Sequence, residues 1–209
     1  MGSKVFVEGR RIGFFGASGC GKSYALKRFL SLQTDWILID PKQEFIGAPV
    51  ARSFKDLLSK IKSLQSAGAP IKAIFYPENP AAGSRAIRWI YENAHFPVTI
   101  AVDEVQEICP AFTSARDPDN PVIKVSRLGR SRGLSLAVAS QRIKTVDISL
   151  RANLNSMLLF RQGDFSDAQE IKKMTGRDLF NLPPRAFVWR SERGDLVDYK
   201  NVDKIKIWF

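Results

Sequence analysis

Apolar residues occur along this chain in two alternating patterns, short continuous runs and longer stretches with helical spacing. The continuous runs predict strands at residues 12–15, 36–39, 71–76, 98–102, 134–139 and 156–160. The helical spacing predicts helices at residues 22–33, 53–67, 87–94, 120–128 and 166–175. We expect Ser53 and Ser166 to be the N-cap residues of two of these helices. Two more short runs, 186–189 and 196–199, are joined by polar residues and predict a closing hairpin.

The alternation of strands and helices indicates the fold class. Successive strands joined by helices pair in parallel through right-handed crossovers, and apolar strands of this kind are covered on both faces. We therefore predict an α/β fold with a mostly parallel central sheet flanked by helices and a small C-terminal β-hairpin. We expect a single domain over residues 1–209. Ligands of such sheets bind at the carboxyl ends of the strands, so functional residues are expected there.

The net charge is the unusual feature of the composition. The chain has 32 Lys and Arg residues against 21 Asp and Glu residues, a formal net charge of +11, and a pI near 9.9. A charge of this size favours a polyanionic partner, most often nucleic acid. Solubility or an acidic protein partner would also account for it.

The rest of the composition excludes several classes of protein. Hydrophobic residues make up 44% of the chain, which argues against disorder. No apolar run approaches the ~20 residues that a membrane-spanning helix needs, and the first ten residues do not resemble a secretory signal. Two cysteines, Cys20 and Cys109, and one histidine, His95, make a disulfide framework or a zinc site improbable. We expect a soluble intracellular protein that does not itself span a membrane.

The segment between the first predicted strand and the first predicted helix carries the most specific motif. It matches G-x-x-x-x-G-K-[ST], in which glycines let backbone N–H groups surround a phosphate at a helix N-terminus. The residues predicted to bind ATP are Gly16, Ala17, Ser18, Gly19, Cys20, Gly21, Lys22, Ser23 and Tyr24. We expect Lys22 to contact the β- and γ-phosphates and Ser23 to bind Mg²⁺. The plainer interpretation is a glycine turn without a ligand.

Two other predicted strands end in polar residues suited to hydrolysis. Asp103 and Glu104 follow the strand at 98–102, where Asp103 would bind Mg²⁺ and Glu104 would orient and polarise a water. Gln141 follows the strand at 134–139, where its carboxamide could bond the water and a γ-phosphate oxygen. The alternatives are an exposed carboxylate at a helix start for Glu104 and a turn residue for Gln141.

Three arginines precede the strand at 134–139. Arg127, Arg130 and Arg132 lie within six residues, and a guanidinium suits a bidentate grip on phosphate. They could act on ATP bound to a neighbouring subunit, or on a nucleic-acid backbone. They could also be a solvated run of charge.

Taken together, these motifs resemble the FtsK–HerA superfamily of DNA-pumping ATPases. The shared pattern, in order along the chain, is the phosphate loop, Ile39-Asp40-Pro41-Lys42, Asp103-Glu104, Arg127 to Gly133, and Leu136 to Arg142. The resemblance implies a P-loop NTPase of RecA/ASCE-like fold that assembles into rings, commonly hexamers, with ATP at the subunit interfaces. By the same resemblance, Arg130 aligns best with the arginine that acts in trans, and Arg127 and Arg132 are close behind.

Within the superfamily, the chain looks most like the genome-packaging ATPases of tailless icosahedral viruses with an internal membrane. That likeness implies a double-stranded DNA translocase that fills a preformed capsid. Its partners would be capsid or membrane proteins of a virion vertex, and it would occur in the host cytoplasm or the virion. The alternatives are a filamentous-phage assembly ATPase of the zonula-occludens-toxin type and, less favoured, a P-loop small-molecule kinase.

The DNA-contacting residues are predicted from charge and position. The loop at 112–120 follows the acidic pair and could line a pore, and more positive charge lies nearby in sequence. The candidates are Arg116, Lys124, Arg142 and Lys144. The C-terminal segment 204–209 alternates in polarity like an edge strand or a docking tail.

Overall fold

A mixed β-sheet runs through the protein in a computed structural model that describes residues 10–201. The strands are β1 (Arg11–Phe15), β2 (Trp36–Ile39), β3 (Val50–Ala51), β4 (Lys72–Phe75), β5 (Val98–Val102), β6 (Leu134–Ser140), β7 (Ser156–Phe160), β8 (Phe187–Arg190) and β9 (Leu196–Tyr199). Their order is β3-β4-β2-β5-β6-β1-β7-β8-β9. The segment 204–209, for which a strand or tail is predicted, lies outside the described residues.

The helices lie between the strands, as the alternating pattern predicts. They are α1 (Lys22–Ser31), α2 (Phe54–Ser66), α3 (Pro80–Asn93), α4 (Thr113–Arg116), α5 (Pro121–Leu128), α6 (Ile148–Asn153) and α7 (Phe165–Thr175). Short 3₁₀ turns occur at Val105–Glu107, Gly129–Arg132 and Ile143–Thr145. No helix within residues 10–201 is long and apolar enough to cross a membrane.

Strand pairing confirms the predicted fold class. Every pair from β3 to β7 is parallel, and only β8 and β9 run antiparallel to their neighbours, as a C-terminal hairpin added to β7. Strand β3 has only two residues, and α4 and α6 have four and six. Segments this short contain too few positions for a hydrophobic period to be visible, so they are absent from the sequence prediction.

One of the two predicted N-caps is correct and the other is wrong. The Ser53 hydroxyl accepts a hydrogen bond from the Asp56 backbone N–H, so α2 begins as expected. The last predicted helix instead begins at Phe165, because the Asp164 carboxylate accepts bonds from the backbone N–H groups of Ser166 and Asp167. Asp and Ser are comparably good caps, so N-cap preference alone does not distinguish Asp164 from Ser166.

The core lies on both faces of the sheet. One face packs against α1, whose Leu26 and Phe29 are almost fully buried, and the other packs against α2, α3, α5, α6 and α7. Full burial of side chains of this size stabilises a fold by about 1.5–3 kcal/mol each. The strands are therefore held rigidly, and the loops at their carboxyl ends have a fixed platform.

Candidate nucleotide-binding site

Four adjacent parallel strands end at the same edge of the sheet. Phe15 of β1 pairs with Ser140 of β6, and Val102 of β5 pairs with Ile39 of β2. Because β6 lies between β1 and β5, the segments that follow these strands meet in one place. Those segments are the glycine-rich loop, Gln141, the acidic pair and the turn at Asp40.

The glycine-rich loop has a backbone that most side chains would not permit. Gly19 and Gly21 have φ of +72° and +110°, in the left-handed region that favours glycine. A Cβ added to Gly16 would lie 2.7 Å from the Phe160 Cβ. The Ala17 N–H donates to the Arg161 carbonyl at 2.8 Å, which ties the loop to the end of β7. The loop is thus shaped by its glycines and anchored to the sheet.

Lys22 opens α1 and lies across this loop. Its side chain is buried, and its Nζ donates to the Ala17 carbonyl at 2.8 Å. Burial lowers the pKa of Lys22, while the carboxylates of Glu104 and Asp103 act in the opposite direction. The positive end of the α1 dipole and this ammonium group point to the same place, which is an arrangement suited to a phosphate.

The neighbours of Lys22 in the motif have different environments. Cys20 is buried, and burial raises the pKa of its thiol, which fits the predicted role as a filler and not a nucleophile. Ser23 is partly exposed in the first turn of α1, and Tyr24 is exposed beside it. The guanidinium of Arg185 lies 5.9 Å from the centre of the Tyr24 ring. The loop is therefore followed by one exposed aromatic side chain, that of Tyr24.

Asp103 is a buried carboxyl crowded by two others. It is 2% exposed, and its pKa is raised to about 6 by burial and by the charges of Glu104 and Asp40. A divalent cation would relieve this crowding, and carboxylate and hydroxyl oxygens are the ligands that Mg²⁺ prefers. Asp103 and Ser23 therefore fit the predicted metal, which would take its remaining ligands from phosphate and water.

Glu104 is buried and held by neighbouring side chains. Its backbone is left-handed at φ +48°, and its side chain turns into the site. The Oε2 atom accepts from Gln106 Nε2 at 2.7 Å, and Oε1 accepts from Gln141 Nε2 at 2.8 Å and forms an ion pair with Lys42. Burial raises the pKa of this carboxyl, but the hydrogen bonds it accepts outweigh that effect and lower it. The alternative of an exposed carboxylate is wrong.

Lys42 and Asp40 were absent from the predicted site residues, although both belong to the recognised motif after β2. The Asp40 carboxylate is fully buried and accepts hydrogen bonds from the backbone N–H groups of Lys42, Gln43 and Phe45 at 2.9–3.1 Å. These bonds fold the turn so that Lys42 reaches Glu104. The signal available in the sequence was Asp-Pro-Lys directly after an apolar strand.

The three arginines lie near the amino-terminal ends of the central strands, whereas the phosphate loop lies at the carboxyl-terminal ends. Arg127 is in the last turn of α5, and Arg130 and Arg132 lie in the turn before β6, whose first residue pairs with the first residue of β5. The seven residues of β6 separate this turn from the phosphate loop by about 20 Å. Within its own chain the arginine turn does not reach the phosphate loop.

The arginines differ in their surroundings. Arg127 and Arg130 are exposed. Arg132 donates to the Glu92 carbonyl at 3.2 Å, and its guanidinium lies 4.8 Å from the centre of the Tyr91 ring. Arg132 is therefore held by contacts with α3. Which arginine acts on the ATP of a neighbouring subunit stays a prediction, and these contacts favour Arg127 and Arg130 over Arg132.

Two of the four predicted DNA-contacting residues form ion pairs with carboxylates of the same chain. Lys124 forms an ion pair with Asp119 at 2.9 Å, and Arg142 forms one with Asp167 at 2.9 Å. Arg116 and Lys144 are both exposed. Their segments are neighbours, because the Ala111 N–H donates to the carbonyl of Thr145 at 2.7 Å. The segments that carry Arg116 and Lys144 therefore lie next to each other beyond the ends of β5 and β6.

Comparison with known proteins identifies a family and two kinds of relative. A family model described as "AAA domain" matches residues 8–137. The DNA translocase FtsK of Chlorobaculum tepidum is 26% identical over 194 residues, which is 78% of this chain and 24% of that protein. The chain thus spans about a quarter of the length of this relative.

Two solved structures are similar in fold. The genome packaging NTPase B204 from Sulfolobus turreted icosahedral virus 2, in complex with ATP-gammaS, has a TM-score of 0.73 at 14% identity, covering 94% of this chain and 100% of that one. The N-terminal domain of zonular occludens toxin from Neisseria meningitidis has a TM-score of 0.51 at 12% identity, covering 91% and 93%. The predicted P-loop fold is confirmed.

Proposed function

The chain belongs to the AAA domain family, which confirms the predicted P-loop ATPase of FtsK–HerA type, and on this basis we propose that it uses ATP hydrolysis to move double-stranded DNA. The observation that carries the proposal is the meeting of three groups at one sheet edge. They are the phosphate loop with Lys22, the buried carboxyl of Asp103, and Glu104 with its partner Gln141.

Each residue of the site would have a different role in ATP hydrolysis. The loop N–H groups and Lys22 bind the phosphates, and Ser23 and Asp103 would hold Mg²⁺, which supplies charge neutralisation to the phosphate oxygens when bound. Glu104 orients a water toward the γ-phosphorus and accepts its proton. The water oxygen forms a bond to phosphorus as the bond to the ADP oxygen breaks, and phosphate leaves. Gln141 fixes the position of Glu104.

The burial of Glu104 favours water as the acceptor. A kinase needs space for a second substrate beside the γ-phosphate, whereas Glu104 is 3% exposed and is surrounded by hydrogen-bond donors of its own chain. A buried carboxylate next to the metal ligand suits hydrolysis. The small-molecule kinase is therefore the weaker alternative.

The position of the arginine turn supports a ring. Arg127 and Arg130 are exposed about 20 Å from the phosphate loop of their own chain, so they would act on ATP only across an interface. We infer a ring, commonly a hexamer, in which Arg130 completes the site of the neighbouring subunit. Hydrolysis would then depend on assembly.

Double-stranded DNA and a viral role are the remaining parts of the proposal. The net charge of +11 and the exposed pair Arg116 and Lys144 support a polyanionic substrate. The likeness in fold to a genome packaging NTPase supports packaging of a viral genome. The partners would then be capsid or membrane proteins of a virion vertex, and the location the host cytoplasm or the virion. A filamentous-phage assembly ATPase remains the second candidate, because the toxin domain shares the fold.

DNA-stimulated hydrolysis tests the proposal. Phosphate release from Mg-ATP should increase when double-stranded DNA is added, and Glu104→Gln should bind nucleotide and not turn it over. Displacement of a third strand from a DNA triplex should require ATP and fail in the same variant. Hydrolysis that needs a small-molecule acceptor and ignores DNA would reject the proposal.

A further inference from the structure

The ion pair between Lys42 and Glu104 occupies one of the four acceptor positions on the carboxylate that would orient the attacking water. Each carboxylate oxygen has two lone pairs. Glu104 Oε1 accepts from both Lys42 Nζ and Gln141 Nε2, while Oε2 accepts from Gln106 Nε2. Oε1 therefore has both acceptor positions filled, and in this arrangement a water can bond only to the one position left on Oε2.

The two partners of this ion pair differ in freedom to move. The Glu104 side chain is 4% exposed, whereas that of Lys42 is 35% exposed. Lys42 reaches the site from a turn whose backbone is fixed by Asp40, so the flexible part is its own side chain. Lys42 can exchange its partner by rotating within the open site, and Glu104 can stay in place.

Lys42 also lies close enough to Lys22, the lysine predicted to contact the β- and γ-phosphates, to affect its charge. The pKa of Lys22 is lowered by burial and further by the positive charge of Lys42, so the two ammonium groups act on each other. Both are attracted to Asp103 and Glu104. Two lysines from neighbouring loops therefore act on the same two carboxylates, beside the glycine-rich loop that Lys22 contacts.

We propose that Lys42 senses the γ-phosphate by exchanging partners: it binds Glu104 before ATP arrives and binds the terminal phosphate afterwards. This inference rests on the proposed function, because it assumes ATP on the glycine-rich loop. A phosphate with about two negative charges is a stronger partner for an ammonium group than one carboxylate. The exchange frees one acceptor position on Glu104 Oε1 for the attacking water, and Gln141 and Gln106 keep the carboxylate oriented.

ADP should not trigger the exchange, because it lacks the γ-phosphate. Through Lys42, the free acceptor position on Glu104 Oε1 therefore depends on a bound triphosphate. In this role Lys42 contributes to ATP affinity and hardly to ADP affinity. If Lys42 only held Glu104 in position, its loss would change hydrolysis and leave the relative affinities for the two nucleotides unchanged.

The test compares nucleotide affinities by calorimetry with Mg²⁺ present. For Lys42→Met we expect ATPγS affinity to fall about ten- to a hundredfold, the range for a charged hydrogen bond, with ADP affinity changed by less than about threefold. Lys42→Arg should restore most of the preference for ATPγS. Lys60→Met is the matched control, since Lys60 also pairs with a carboxylate, Asp56, on α2 away from the site.

The result that would overturn the inference is an equal change, or no change, in the affinities for ATPγS and ADP in folded Lys42→Met. Thermal unfolding identifies any variant that fails to fold. If Lys42→Met does not fold, the affinities for ATPγS and ADP are compared between Lys42→Arg and the wild type. If the wild type hydrolyses ATP and responds to DNA while Lys42→Met keeps its preference for ATPγS, the inference fails and the proposed function stands. If the wild type binds neither nucleotide, the proposed function fails as well.

Discussion

Removal of the Asp40 carboxylate should destabilise the fold as well as the site. Asp40 is fully buried, and its carboxylate accepts hydrogen bonds from three backbone N–H groups in the turn after β2. In Asp40→Ala these donors lose their acceptor. At a net contribution of roughly 1 kcal/mol per hydrogen bond, the loss is about 3 kcal/mol, reduced where water enters the turn. For a chain of this size that corresponds to a fall in melting temperature of about 6–12 °C.

Thermal unfolding followed by circular dichroism measures this effect. Asp119→Ala is the matched control, because the Asp119 side chain is 75% exposed and forms a surface ion pair with Lys124, so it should melt close to the wild type. Asp40→Ala should also weaken ATP binding, because the turn no longer holds Lys42 where it can reach the terminal phosphate. Equal melting temperatures for the two variants would refute the structural role given to Asp40.

Three other predictions concern the loop, the arginine turn and DNA. Gly16→Ala places a Cβ 2.7 Å from the Phe160 Cβ, so the loop must shift. Titration should show ATP affinity reduced about tenfold or more, and an unchanged affinity would contradict the loop geometry. Arg130→Ala should keep ATP binding and lose about 10³-fold or more in turnover by the assembled ring; unchanged hydrolysis would reject Arg130. DNA affinity should fall steeply with salt, and the double variant Arg116→Ala, Lys144→Ala should lower the slope of log K against log salt by about 2. An unchanged slope would exclude these two residues as phosphate contacts.

The strands and the phosphate loop could be predicted because their signals are local. Continuous apolar runs lie within a residue or two of β1, β2, β5, β6 and β7, and the glycine pattern alone identified the loop before α1. The Asp-Glu pair after β5 was likewise visible as two acids after a buried strand. In each case a short stretch of sequence is enough to determine the local structure.

The contacts within the site could not be predicted in this way, because they depend on the order of strands in the sheet. Lys42 and Glu104 are 62 residues apart and meet only because β2 lies next to β5. The sequence contained the Asp-Pro-Lys motif, but nothing in it showed which strand would be its neighbour. In the same way, the arginine turn is far from the phosphate loop because β6 runs parallel to β1, so the start of β6 and the end of β1 lie at opposite ends of the sheet. That relation depends on the pairing of the strands.

Calorimetric titration of Mg-ATP tests the central claim most directly, namely that the glycine-rich loop and the residues at the neighbouring strand ends form a nucleotide site. The account predicts that the wild type binds Mg-ATP and that Lys22→Ala, which loses the buried ammonium group over the loop, binds it about a hundredfold more weakly or not at all. Equal binding by the two proteins, or no binding by the wild type, would contradict it.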